Sequence, residues 1–162
     1  MKILILAEHD NQEISPLTLN SVTAAKELHG EITMLVSGHN CKVVANQASE
    51  ISDISKVLVC DSSAYDKAMA ENTAKLLSEL ATDYDYIIAT STTSSKNIMP
   101  RLAAHIDVQA ISDISEIVDQ DTFMRPIYAG NVIAKVKSID AKKVITVRST
   151  AFDAAPNAGG SA

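Results

Sequence analysis

The residues best suited to binding a ligand form a hydroxyl-rich loop, Thr90 to Ser95, which is followed by Lys96. The loop comes directly after Tyr86 to Ala89, an apolar run with the pattern of a strand buried on both faces. Pro100 fits only the first turn of a helix, where its missing N–H has no partner, so the next helix should begin near Lys96 or Asn97. A loop between a strand end and a helix N-terminus can bind a phosphate, with Lys96 as the countercharge.

The same hydroxyl groups also have a purely structural use. Ser and Thr side chains cap helices and fill turns by hydrogen bonding to nearby backbone groups. The loop contains no glycine, so it is neither a Walker loop nor a G-x-G-x-x-G turn. We therefore favour capping over binding, and we predict a vestigial nucleotide loop formed by Thr90, Ser91, Thr92, Ser94, Ser95 and Lys96.

A second polar cluster, Glu8-His9-Asp10, follows the first apolar run of the chain. Its side chains could serve acid–base chemistry or bind a metal ion. Adjacent positions rarely converge on one point, however, so a polar turn is the better interpretation. The other histidines show no paired spacing, and we predict neither catalytic residues nor a metal site.

Two arginines, Arg101 and Arg125, each lie beside a proline in an otherwise apolar context. Each must reach solvent, find a buried acceptor or contact a partner chain, because an unpaired buried charge is costly. These alternatives stay open, since arginine is also favoured at protein interfaces.

The composition indicates one domain with a substantial core. The chain has 162 residues, of which 46% are hydrophobic, and a formal net charge of -6. An acidic balance argues against a nucleic-acid or anionic-membrane surface. Cys41 and Cys60 have no metal-ligand spacing and are expected to be free thiols in a reducing compartment. We expect no targeting segment and a cytoplasmic location in a bacterium, or the mitochondrial matrix if the chain is a processed eukaryotic form.

The first half of the chain reads as four successive βα units. Short apolar runs that predict strands alternate with segments of helical spacing, and the connections are short. This order favours right-handed crossovers and a doubly wound, mainly parallel sheet of the flavodoxin-like or adenine-nucleotide-hydrolase-like kind.

The last third of the chain has a different pattern, which predicts mostly antiparallel strands appended to the parallel sheet. Gly130-Asn131 is a two-residue hairpin signal, and Pro126 marks a bulge or an edge. Residues 1–153 should form a single α/β domain, and residues 154–162 a flexible linker or tail. The predicted strands are Ile111 to Val118, Phe123 to Ala129, Val132 to Val136 and Lys143 to Arg148.

Several stretches together resemble the N-terminal domain of the electron transfer flavoprotein alpha subunit. They occur in the family's order and cover both halves of the chain. The loop before Lys96 departs from the family, with Ser94-Ser95 where members often carry an aromatic residue or glycine. The matching stretches are LAEHDN from Leu6, KNIMPRLAA from Lys96, ISDI from Ile111, RPIYAGN from Arg125 and ITVRSTAFDAA from Ile145.

The resemblance implies a heterodimer of alpha and beta subunits that carries one FAD. Such a carrier takes electrons from dehydrogenases, such as the acyl-CoA dehydrogenases of fatty acid β-oxidation, and passes them to a membrane quinone reductase. In that family a C-terminal domain of the alpha subunit holds the FAD, so we expect no flavin-binding residues in this chain and interpret it as a fragment that ends in the linker. The candidate residues for contacts with the beta subunit or the flavin domain are Arg101, Arg125, Tyr128 and Asn131.

An alternative of another class is a stand-alone adenine-nucleotide-binding module that resembles universal stress proteins. It would use Thr90 to Lys96 for the phosphate, and the missing glycines weigh against it.

Overall fold

A computed structural model describes residues 1–162, which form a doubly wound sheet and a smaller antiparallel sheet. In chain order the strands are β1 (Lys2–Leu6), β2 (Glu31–Gly38), β3 (Lys56–Asp61), β4 (Tyr86–Thr90), β5 (Ala110–Ile114), β6 (Glu116–Ile117), β7 (Thr122–Ile127), β8 (Val132–Lys137) and β9 (Lys143–Val147). The helices are α1 (Pro16–Lys26), α2 (Lys42–Glu50), α3 (Ala70–Leu80) and α4 (Thr93–His105).

The main sheet has six strands in the order β3-β2-β1-β4-β9-β5, and every pairing in it is parallel. Successive side chains of a strand point to opposite faces, so Ile3 and Ile5 of β1 pack with α1 and α2, whereas Leu4 and Leu6 pack with α3 and α4. Both faces are therefore covered, which confirms the predicted fold class.

The last third of the chain corrects one detail of the prediction. A small antiparallel sheet, β6-β7-β8, is present as expected, but β5 and β9 are parallel members of the main sheet. The predicted hairpin is formed by β7 and β8, although its turn spans four residues, Tyr128 to Asn131, rather than two. Pro126 lies in β7 beyond the two residues that pair with β6, at an open edge.

Helix α4 begins at Thr93, three residues before the predicted start, and places Pro100 inside the helix. A capping box explains the early start, because the Thr92 hydroxyl accepts from the Ser95 N–H at 3.2 Å and the Ser95 hydroxyl accepts from the Thr92 N–H at 3.0 Å. The prediction that Pro100 must lie in the first turn was wrong: the capped first turn offsets the hydrogen bond that proline removes.

Residues 154–162 have no regular secondary structure and lie against α1 and α2. The Ala155 N–H donates to Leu19 O at 3.1 Å, and the Gly160 N–H donates to Glu50 O at 2.8 Å. The domain boundary at residue 153 stays a prediction. No helix is both long enough and apolar enough to cross a membrane.

Candidate functional site

A cleft of about 260 Å³ opens where the carboxyl ends of β1 and β4 meet, and we call it the switch-point cleft. The chain runs outward from β1 through β2 to β3 on one side, and from β4 to the other strands on the opposite side. Ligands of open α/β sheets bind at such a reversal of strand order. Position alone therefore makes this cleft the first candidate for a nucleotide.

Two of the hydroxyl residues predicted to bind that nucleotide, Thr90 and Ser95, form hydrogen bonds within the chain instead. Thr90 is buried, and its Oγ1 lies 2.9 Å from Ser21 Oγ and donates to Leu17 O at 3.0 Å. Ser95 is buried and bonds to the Thr90 carbonyl, so its hydroxyl serves the α4 cap. Among the predicted loop residues, the cleft is lined by Thr90, Ser94 and Ser95, whereas Lys96 lines a different cleft.

The Glu8-His9-Asp10 segment forms the predicted polar turn at the rim of the switch-point cleft. Asp10 Oδ1 accepts from the Gln12 N–H at 2.9 Å and from the Glu13 N–H at 2.7 Å. These bonds to backbone N–H groups lower the pKa of Asp10. His9 Nδ1 accepts from the Asn11 N–H at 3.1 Å, and burial lowers the pKa of His9 although the Ser37 carbonyl and Asp10 act in the opposite direction. No group of three or more ligating side chains is arranged for a metal ion.

The switch-point cleft does not fit a flavin dinucleotide or another phosphate ligand. Its lining includes the carboxyl groups of Glu8, Asp10 and Asp66, whereas its one lysine, Lys67, already pairs with Asp66 at 3.2 Å. Phosphates are attracted by unused N–H groups and positive charge, and this lining offers net negative charge. The volume also falls below the roughly 300–1,000 Å³ of sites for drug-sized ligands.

A second cleft, of about 270 Å³, lies on another face of the N-terminal half of α4, between that helix and the edge strand β5. We call it the Arg125 cleft, because Arg125 and Lys96 are its cations. Its floor is apolar, and Met99, Pro100 and Val144 are among its lining residues. The Arg125 Nη2 donates to Ser112 Oγ at 3.0 Å, whereas the buried Nε has no partner.

One ion pair stands at the wall of the Arg125 cleft. Asp113 Oδ2 accepts from Arg148 Nη2 at 2.6 Å and from Arg148 Nε at 3.1 Å, and the Asp113 N–H donates to Thr146 Oγ1 at 2.8 Å. Burial raises the pKa of Asp113, but the hydrogen bonds from Arg148 and the charges of Arg148 and Lys96 outweigh it, so the pKa is lowered overall. Asp113 has φ +61°, which is a left-handed conformation that aspartate tolerates.

The predicted interface residues lie in different environments. Arg101 is exposed on α4, where its Nη2 lies 3.1 Å from Glu71 Oε1 and its Nε donates to Asn97 Oδ1 at 3.1 Å. Tyr128 is 77% exposed at the tip of the β7–β8 hairpin, next to exposed Asn131. Arg125 alone is half-buried. Their role at an interface stays a prediction.

The structure brings together segments that are far apart in the sequence. Lys96 and Pro100 from α4, Ser112 and Asp113 from β5, and Arg125 from β7 all line the Arg125 cleft, and Arg148 pairs with Asp113 beside it. Each belongs to one of the stretches that carry the family resemblance. Sequence reasoning did not select Ser112, Asp113 or Arg148 individually, although their presence in those stretches was the available signal.

The fold and this arrangement define a doubly wound α/β domain whose cleft at the nucleotide position is lined by carboxyl groups and a self-capped helix. The family model described as "Electron transfer flavoprotein domain" matches residues 3–162. The chain belongs to the electron transfer flavoprotein family.

Curated relatives specify the subunit to which the chain is similar. It is 51% identical over 162 residues to the electron transfer flavoprotein subunit alpha of Pseudomonas aeruginosa, covering 100% of this chain and 52% of the relative. It is 48% identical over 160 residues to that of Paracoccus denitrificans, covering 98% and 52%, and 41% identical over 167 residues to the mitochondrial one of Dictyostelium discoideum, covering 98% and 47%. The chain therefore spans about half the length of these relatives, and its resemblance to the alpha subunit is confirmed.

Proposed function

We propose that this chain is the N-terminal, partner-binding domain of the alpha subunit of a heterodimeric electron carrier. It packs against the beta subunit and supports a C-terminal domain that holds FAD. The assembled carrier accepts electrons from dehydrogenases, such as acyl-CoA dehydrogenases, and delivers them to the respiratory chain through a quinone reductase, in the bacterial cytoplasm or the mitochondrial matrix. The chain itself is an electron-carrier subunit without a catalytic set.

The observation that carries this proposal is the match along residues 3–162 to the family domain, with relatives that are alpha subunits. The chemistry of the chain agrees with a supporting role. The switch-point cleft carries carboxyl groups and a self-capped helix, which do not fit the pyrophosphate of FAD. This lining supports a location of the flavin in the C-terminal half of the subunit.

Spectroscopy of two preparations tests the proposal. The alpha subunit with its C-terminal domain, co-expressed with the beta subunit, should be yellow and show flavin absorbance, whereas residues 1–162 alone should be colourless. A complete alpha–beta complex without flavin absorbance would contradict the proposal. Flavin bound stoichiometrically to residues 1–162 would contradict the proposal that the C-terminal domain holds the FAD.

The position of the switch-point cleft favours a second candidate, a stand-alone adenine-nucleotide-binding module. Titration calorimetry with AMP and ATP separates the two candidates. We expect neither heat nor a thermal shift, because the lining carboxyl groups repel phosphate. Saturable heat that disappears in Ser94→Ala, which alters the lining of the switch-point cleft, would favour the nucleotide module instead.

A further inference from the structure

Arg125 is the arginine whose charge has no partner within the chain. The chain has three arginines, and Arg101 and Arg148 lie 3.1 Å and 2.6 Å from the carboxyl oxygens of Glu71 and Asp113. Arg125 has no carboxylate within 4.0 Å, although the chain contains 20 Asp and Glu residues. Its one side-chain hydrogen bond, to Ser112 Oγ, is neutral.

The buried part of the Arg125 guanidinium makes this arrangement costly. Its Nε is inaccessible to solvent and has no acceptor. A buried donor without an acceptor forfeits its hydration, and a charged donor forfeits more. An anion that enters the cleft from outside the chain would supply the charge partner that Arg125 lacks, because a carboxylate accepts N–H bonds from a guanidinium.

The surroundings of Arg125 show what else this anion must carry. Arg125 pairs with Ala134 across β7 and β8, and Phe123–Val136 and Ile127–Val132 are the neighbouring pairs on the same face. Phe123 is completely buried in the core, whereas Val132 is 46% exposed at the other end. A groove of about 510 Å³ continues from Arg125 past Val136 to Ile139, which is 95% exposed. Arg125 therefore lies beside a row of apolar side chains that begins in the core and ends in solvent, an apolar track that is flanked by the polar residues Lys137 and Asp140.

A free small anion would leave this apolar track uncovered, whereas a polypeptide would fill it. Exposed apolar side chains next to an arginine are typical of protein interfaces, where arginine is enriched and often provides much of the binding energy. The track is also continuous with the hairpin tip that carries Tyr128, which is 77% exposed. Both features favour an acidic side chain flanked by apolar residues.

We propose that the Arg125 cleft receives a single Asp or Glu side chain of the beta subunit, while apolar neighbours of that residue lie in the groove along β8 towards Ile139. This inference rests on the proposed function, because it takes the beta subunit as the partner. It assigns Arg125 as the anchor of the contact and Ser112 as the residue that orients the guanidinium.

Affinity measurements on the complete alpha–beta complex test the anchor. Arg125→Met keeps the apolar stem and removes the charge, and it should weaken association roughly 30-fold or more, because one partner of a desolvated charge pair is lost. Lys56→Met removes the same charge from β3 at the far edge of the sheet and should change affinity less than about threefold. Thermal unfolding of each alpha variant monitors whether it folds.

A cross-linking experiment keeps the proposal testable even if Arg125→Met does not fold. Arg125→Lys places an amine in the cleft, and a carbodiimide then joins it covalently to a carboxylate with which it forms a salt bridge. Mass spectrometry should find one cross-link between position 125 and a beta-subunit Asp or Glu. In the wild-type complex the same carboxylate should be protected from carbodiimide labelling.

The outcomes separate the two proposals. If wild-type alpha and beta subunits do not associate, the proposed function is overturned and this inference with it. If they associate but Arg125→Met binds within about threefold of the wild type, or position 125 forms no cross-link, only the inference is overturned.

Discussion

The two clefts of this domain have nearly the same volume, about 260 and 270 Å³, but opposite chemistry. In the switch-point cleft the polar side chains bond to one another and to nearby backbone, and the lining carries more carboxyl groups than cations. In the Arg125 cleft a half-buried guanidinium lacks a carboxylate, and one of its donors lacks any acceptor. The difference teaches that unsatisfied polar groups identify a binding surface better than volume or position does.

The largest effect on stability is expected at Gly38, which lies against Asn11 and His9 of the switch-point cleft. A methyl group there would collide with Asn11 Oδ1 and approach His9 Cε1 to 2.8 Å. We expect Gly38→Ala to reduce the free energy of unfolding by about 2–3 kcal/mol, because the packed turn cannot yield without losing its hydrogen bonds. Denaturant unfolding measures this loss.

A second substitution in the same variant provides the control for Gly38. Asn11→Gly removes the colliding side chain and suits the backbone φ of +73° at that position. The double variant should recover part of the lost stability. If Asn11→Gly gives no recovery, the clash is not the cause of the loss.

The ion pair beside the Arg125 cleft should have a smaller but pH-dependent effect. Asp113→Asn should cost about 1–2 kcal/mol near neutral pH, since it removes the charge that Arg148 binds and keeps a residue that tolerates φ +61°. The folded-state pKa of Asp113 lies below its ordinary value of 3.8, so the stabilisation is present above 3.8 and is lost as the pH falls through the folded-state pKa. Unfolding curves of the wild type and variant should converge at low pH.

An exposed pair offers the matched substitution for Asp113. Asp53 lies 2.8 Å from Lys26, and their side chains are 38% and 46% exposed. Solvent screening limits such a pair, so Asp53→Asn should cost less than about 0.5 kcal/mol. Equal losses in the two variants would show that the Asp113 pair is no more than a surface contact.

Apart from the Asp53 control, the smallest effect is expected at the α4 cap, where it separates capping from ligand binding. Thr92→Ala should lower stability by about 1 kcal/mol, because it leaves the Ser95 N–H without its acceptor. Ser94→Ala, in the exposed residue that lines the switch-point cleft, should leave stability unchanged. A stability loss at Ser94 instead of Thr92, seen by thermal unfolding, would be inconsistent with the assigned capping box.

The sequence predicts the first four βα units well because their strands are short, mainly apolar runs, of which β1, β2 and β4 are largely buried and β3 is the partly exposed edge. It misassigns β9, since Lys143 and Thr146 make Lys143–Val147 resemble a half-exposed strand although all five residues are buried. The two polar side chains are satisfied internally: Lys143 Nζ lies 2.5 Å from Asp121 Oδ1, and Thr146 Oγ1 accepts from the Asp113 N–H. The pattern of residue types shows only which side chains are polar. The partners of Lys143 and Thr146 cannot be identified from the spacing of residues in the sequence.

The candidate site was only partly predictable for a related reason. Composition shows that Thr92 and Ser95 can cap a helix, and the spacing T-x-x-S was a usable signal for the start of α4. Arg125 bonds to Ser112, which is 13 positions away in the sequence, and Arg148 bonds to Asp113, which is 35 positions away. Sequence reasoning could single out Arg125 as unusual, but only the fold shows that its neighbour is a serine rather than a carboxylate.

The position of β9 in the sheet has a consequence for how the chain folds. β9 separates β4 from β5, yet it is the last strand to be synthesised. It begins at Lys143, 53 positions after Thr90, where β4 ends. Until it inserts, β4 presents an unpaired edge and β5 has no strand beside it, which is the kind of open edge that recruits other chains. Insertion of β9 between β4 and β5 is therefore expected to limit the folding rate.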